Sequence, residues 1–173
     1  MLDHYRMFAA YNAWANRVLY EEVGKLDDAD YRRNLGAFFG SLHGTLNHLL
    51  SADRIWMRRF TGEGQAPASL DTILHEDFAG LRAARQAEDA RLAAYVGSLT
   101  EKRIAAHFTY SPITSPAVIT HPLGPALAHL FNHQTHHRGQ CHAMLTTLGG
   151  PSITLDLISF VRTEGAGLLK AAG

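Results

Sequence analysis

Apolar positions recur at steps of three and four along four long stretches of the chain, the period of an amphipathic helix. In the first, Leu2–Val23, the residues Tyr5, Phe8, Ala9, Ala15, Val18 and Leu19 share a face, and Gly24 supplies a stop. The second spans about residues 41–60, with a stripe of Leu42, Leu46, Leu49, Leu50, Trp56, Met57 and Phe60. Residues 61–67, rich in glycine and polar side chains, read as an exposed loop. The third helix is expected to start after Ser69 as its cap and to run to Leu99. Its buried face is Ile73, Leu74, Phe78, Leu81, Leu92, Val96 and Leu99, with Arg82, Arg85, Glu88 and Arg91 turned to water.

The pattern then changes. Residues 104–110 and 117–120, on either side of a turn at 111–116, predict a short hairpin or extended crossover. A fourth helix follows Pro122, from about Gly124 to Leu148, and Gly149, Gly150 and Pro151 end it. A last apolar turn at 155–161 is expected to dock on the rest. Four amphipathic helices with one long connection predict an all-α four-helix bundle, as one domain over residues 1–173.

Composition narrows the partners. Sixteen Lys and Arg balance sixteen Asp and Glu, and the isoelectric point is about 7.2. That neutrality argues against a nucleic-acid or anionic-membrane partner held by bulk charge. No apolar run approaches the length of about 18 residues that a membrane span needs. The single cysteine, Cys141, has no internal disulfide partner and reads as packing. With no signal-like N-terminus either, the chain is expected in the cytoplasm.

The unusual feature is eleven histidines, four of which, His129, His133, His136 and His137, fall within one stretch of the fourth helix. Positions four apart lie on one helical face about 6 Å apart along the axis, so two imidazoles at that spacing can converge on one ion. On the wheel, His137 lies about 35° and His133 about 75° from the apolar centre, and His129 about 115°. The pair nearest the core is therefore His133 and His137. A single histidine in such a place is more often a core-edge residue bonded to backbone or water; a pair one turn apart weighs for a metal. The segment is not a zinc-peptidase motif, because Gln134 stands where the general-base glutamate would be and cannot accept a proton. A third ligand must come from another helix. On the second helix, His43 falls on the side of Asn47, Arg54 and Arg58, which reads as wet, whereas His48 lies at the margin of the buried arc and is preferred.

Three blocks in these helices, Tyr11-Asn12-Ala13-Trp14-Ala15-Asn16, the run from Leu46 to Trp56 that holds His48 and Asp53, and the run from Asn132 to Gln140, are followed by Asp156-Leu157. In that order they resemble the damage-inducible DinB-like family, the DinB/YfiT-like metalloenzymes, which are unrelated to the DNA polymerase of the same name. The resemblance implies a four-helix bundle, often a homodimer, with a divalent metal held by His48, His133 and His137. It also implies a small-molecule substrate, since the wider superfamily includes transferases and isomerases that use low-molecular-weight thiols.

Three neutral imidazoles leave an ion its full charge and an open position, which suits either a hydrolase or a thiol-dependent transferase. The alternative is a non-catalytic metal-binding stress-response protein whose ion braces the bundle, in which His129 or His136 would add a fourth ligand. Zinc is the default ion; nickel, iron and manganese suit the same donors. Asn132 or Gln140 is expected to orient an imidazole or a substrate. Asp53, on an apolar face, needs a partner, expected to be Arg138 or the Trp14 indole N–H. Trp14 and Trp56 read as core anchors.

Overall fold

The structure, a computed structural model, describes residues 1–113 and 115–169. Helix α1 (Leu2–Val23) leads through a short α2 (Asp28–Arg32) and a loop into α3 (Leu42–Thr61). Ser41 caps α3 by accepting from the Gly44 N–H at 3.1 Å, and Gly62, at φ 76°, closes its other end in the left-handed region. Helix α4 (Phe78–Ser98) is followed by α5 (Glu101–Ala105) and a two-stranded antiparallel hairpin, β1 (His107–Tyr110) and β2 (Ile119–Pro122). Helix α6 (Leu123–Thr147), a short α7 (Leu157–Arg162) and a 3-10 turn (Ala166–Leu169) complete the described chain. The turn expected at 111–116 includes Thr114, which lies outside the described residues.

The four long helices form a ring in which α1 packs on α4 and α6, and α3 packs on the same two, so α1 stands opposite α3. Two passages between consecutive long helices therefore cross a diagonal, rather than the one long connection expected. The passage from α1 to α3 carries α2, and that from α4 to α6 carries α5 and the hairpin. No described helix is long and apolar enough to cross a membrane.

The interior is apolar at both ends and ionic in between. At one end Tyr5, Met57, Phe60, Leu92, Val96, Leu127 and Phe131 pack together. At the other, Leu19, Leu42, Leu46, Leu49, Leu81, Cys141 and Met144 do so. Between them, Asp53 of α3 pairs with Arg85 of α4 at 2.7 Å, and Arg85 also pairs with Asp89 at 2.9 Å. Asn12 and Asn16 of α1 donate to Asp89 at 3.1 and 2.9 Å. Arg138 of α6 donates to the side-chain oxygens of both asparagines. Buried Arg85 thus meets two buried carboxylates, and buried Arg138 is joined to them through the two asparagines, so the buried charges are paired or hydrogen-bonded as burial requires.

Three expectations need correction here. Helix α4 starts at Phe78, capped by Asp77, and not after Ser69. The preceding stretch spends its backbone on α3 instead: Asn47 Oδ1 accepts from the Leu74 and His75 N–H groups, and the Leu70 carbonyl meets His48. Arg85 and Glu88 do not face water; Arg85 is 2% exposed. Asp53 finds Arg85 and Gln134, not Arg138 or Trp14, because the carboxylate points across the bundle toward α4.

Candidate metal centre

His48 on α3 and the pair His133 and His137 on α6 come together where these two helices pack. The Nε2 atom of His48 lies 3.2 Å from that of His133 and 3.2 Å from that of His137. His48 and His137 are buried and His133 is half-buried.

The opposite ring nitrogens decide what these atoms can do. His48 Nδ1 sits 2.8 Å from the Leu70 carbonyl, which can only accept, so Nδ1 carries the proton. His137 Nδ1 donates to Gln140 Oε1 at 2.7 Å, and Gln140 Nε2 in turn donates to His136. In those neutral forms the Nε2 atoms of His48 and His137 are both bare acceptors, and two acceptors cannot bond each other. The lone pairs of His48 and His137 thus face each other across 3.2 Å, an arrangement that suits a cation, and the second nitrogens of both rings are held as metal-site histidines usually are.

The protonated alternative is unfavourable at this place. Burial pushes His133 down to about 3, with neighbouring His137, His48, His129 and His136 adding to the fall. Burial likewise pushes His48 down to about 4, against the hydrogen bond to Leu70 that opposes it, and lowers His137. The cluster therefore stays neutral and able to ligate across the physiological range.

One wall of the site comes from a loop that carries no periodic signal. Phe39 stacks on the His48 ring with centroids 3.8 Å apart and planes 17° apart, and meets His137 edge-on at 5.6 Å. The loop rests directly on the start of α3: a Cβ at Gly44 would collide with the Phe39 carbonyl oxygen. Neighbouring Phe38 is 87% exposed.

The remaining candidates fall in different places. Gln140 is against His137. Asn132 is exposed and lines a cleft with His4, Phe8 and Phe131, because successive helical positions diverge by about 100°. Asp53 belongs to the ionic layer. Gln134 and Arg138, each one position after a clustered histidine, also turn into that layer, where Gln134 donates to Asp53 at 2.6 Å. His43 is buried, not wet: its ring lies near Arg32 and the His75 carbonyl. His129 packs on Trp56 with centroids 5.2 Å apart, and Trp56 is only half-buried. Cys141 is fully buried among apolar side chains, as its place on the wheel suggests.

Comparison with known proteins agrees with this architecture. The chain is 25% identical over 154 residues to Protein DinB of Bacillus subtilis strain 168, a match covering 84% of this chain and 87% of that protein. Its fold is similar to the crystal structure of a DinB-like protein from Bacillus cereus ATCC 10987. That superposition has a TM-score of 0.66 at 14% identity and covers 85% of this chain and 94% of the other. The profile of the DinB family matches residues 1–167, and the chain belongs to that family.

Proposed function

We propose that the protein is a divalent-metal-dependent enzyme in which His48, His133 and His137 hold the ion through Nε2, acting on a small molecule as a hydrolase or a thiol-dependent transferase. The observation that carries this reading is the convergence of the three Nε2 atoms while the other ring nitrogens of His48 and His137 are already engaged. Three neutral nitrogen donors from one side suit zinc, and also nickel, iron or manganese. An ion held so supplies Lewis-acid activation of water or of a thiol at its open position.

The protein's own groups do the rest. Leu70 and Gln140 fix the tautomers of His48 and His137 and aim their lone pairs. Phe39 closes the site over His48 and excludes water on that side, leaving approach along half-buried His133. Neither histidine that would close the site with a fourth ligand joins the convergent group: His136 meets Gln140, and the His129 ring packs on Trp56. That favours an open, catalytic site over a closed bracing one.

The test offers the zinc-loaded protein a low-molecular-weight thiol with an electrophile and, separately, activated ester and amide substrates. Turnover that is lost on chelation and in His133→Ala is the expected result. Turnover indifferent to both, or a tightly held ion without turnover on either substrate class, would replace this reading with the bracing role.

A further inference from the structure

Along the α3/α6 seam from the histidine cluster, about two helical turns past His48 and one turn before His133, lies a second cleft of about 250 Å³. It is lined by Trp56, Tyr110, His121, Pro125, Ala126 and His129. The hairpin supplies two of these: Tyr110 on β1 and His121 on β2 are diagonal neighbours across the ladder and share one of its faces. His129 joins the cleft to the cluster, its ring 5.2 Å from Trp56 on one side and 5.8 Å from His133 on the other. Ala126 is buried and the other five lining residues are half-buried or exposed, so the cleft is open to solvent.

Its walls are rings set at steep angles. Tyr110 stands at 63° to Trp56 and at 85° to His121, with centroids 5.2 and 5.6 Å apart, and His129 is tilted 60° from Trp56. Rings so splayed are not stacked on one another, which leaves faces and edges for a further ring to meet in the offset or edge-to-face arrangements that aromatic pairs prefer. At Ala126 the side chain is a single methyl, and a larger residue there would fill the space.

Charge and volume select the ligand class. No Asp, Glu, Lys or Arg lines the cleft, so an ion entering it would leave water without gaining a partner charge. A cation meets a further obstacle. Arg59, not itself part of the lining, already lies with its guanidinium carbon 4.5 Å from the Trp56 ring centroid and 4.6 Å from that of Tyr110, and so takes up the attraction of both rings for positive charge. What remains is a neutral, flat, apolar group. An apolar cavity of about 150 Å³ already accepts benzene, and sites that enclose a whole drug-sized ligand run to roughly 300–1,000 Å³. The cleft therefore fits one ring with a short substituent.

We propose that this cleft is a recognition subsite for an uncharged aromatic ring, and that the substrate of the metal site is a neutral aryl compound whose reacting group extends past His129 to the ion. His129 and His133 are one turn apart, about 6 Å along the helix, a span that a short substituent on the ring covers. The substrate assignment rests on the metal-dependent reading above; the subsite itself does not.

The test titrates benzyl alcohol, its saturated analogue cyclohexylmethanol, and the charged benzoate and benzylammonium into the full-length protein by saturation-transfer NMR, in metal-free, zinc-loaded and manganese-loaded forms. Benzyl alcohol is expected to bind at least about fivefold more tightly than each of the other three. The preference is expected to be lost in Ala126→Leu, which fills the cleft, and in Tyr110→Ala, which removes a wall from the hairpin without touching the helical core, with zinc content unchanged in both. In the manganese-loaded protein the ring protons of benzyl alcohol are expected to relax faster than in the zinc-loaded one, an enhancement that disappears in Tyr110→Ala. Equal binding of the four probes, absence of benzyl alcohol binding, or a preference indifferent to both substitutions would overturn the subsite. Selective binding without relaxation enhancement by manganese would overturn the substrate assignment. If the protein takes up no ion yet still selects benzyl alcohol through Tyr110, the subsite stands and the metal reading falls.

Discussion

Gln134 Nε2 donates to Asp53 Oδ1 at 2.6 Å and to the Leu49 carbonyl at 3.1 Å, tying α6 to α3 one residue beyond His133 and one beyond His48 respectively. The same Asp53 pairs with Arg85 of α4. The polar residues interleaved with the histidines therefore look inward, to an ionic layer that sets how α3 and α6 sit against each other. The histidines turn away from that layer, and their convergence depends on that setting.

Breaking the layer is costly because it strands a buried charge. Asp53→Ala leaves Arg85, 2% exposed, with only Asp89 as a partner, and is expected to destabilise the protein by about 3–5 kcal/mol. Arg17→Ala removes exposed pairs with Glu21 and Glu164 and is expected to cost at most about 1 kcal/mol. Urea unfolding of both variants checks the contrast; similar losses would show that the layer contributes no more than a surface pair.

Acid sensitivity follows from the histidines. In the metal-free folded protein, His48 and His133 protonate only near about 4 and about 3, against 6.5 for an ordinary histidine. Below pH 6.5 the unfolded chain binds more protons than the folded one, so stability is full above that value and falls as pH drops toward the folded-state values. Each such group contributes up to about 1.4 kcal/mol per pH unit within its window. Unfolding midpoints of the metal-free protein between neutrality and about pH 4 are expected to decline less steeply in His133→Gln than in the parent. Identical slopes would contradict the burial assigned to that ring.

Phe39 is expected to govern how freely the ion exchanges. Phe39→Ala uncovers His48, and Gly44→Ala pushes the loop off the start of α3. Both changes are expected to speed chelator-driven metal loss on the order of tenfold, with little effect on the helical circular-dichroism signal. An unchanged rate in both would mean that the loop does not shield the site.

Cys141 is expected to be inert. It is fully buried, and burial pushes its thiol up to about 12, so the nucleophilic thiolate is scarce at neutral pH. Iodoacetamide should label it in urea and leave the folded protein unmodified, as mass spectrometry would show. Rapid labelling of the folded protein would reopen a role for the thiol.

Helical periodicity was enough to find the four long helices, and it singled out the three histidines that meet because they lie at the edges of strong apolar stripes. The family of the chain was legible from the polar residues spaced among them. What periodicity missed is physically consistent. Ile73 and Leu74 fit the phase of α4, yet the Leu74 and His75 N–H groups serve Asn47 and the Leu70 carbonyl positions His48, so a tertiary demand overrides the local pattern. Arg85 and Glu88 look like surface charges when α4 is read alone; only the facing Asp53 and Asp89 make burial of Arg85 affordable. Phe39 lies in a short irregular loop, where no periodic signal marks which side chain turns inward. The aromatic cleft combines side chains from α3, the hairpin and α6, a juxtaposition created only by packing.

The most direct test of the central claim is metal stoichiometry after dialysis against trace zinc, measured by inductively coupled plasma mass spectrometry for the parent protein and for His48→Ala, His133→Ala, His137→Ala and His136→Ala. One ion per chain in the parent and in His136→Ala, with loss in each of the other three folded variants, is the predicted pattern. A parent without bound metal, or retention in all three variants of the cluster, would contradict it.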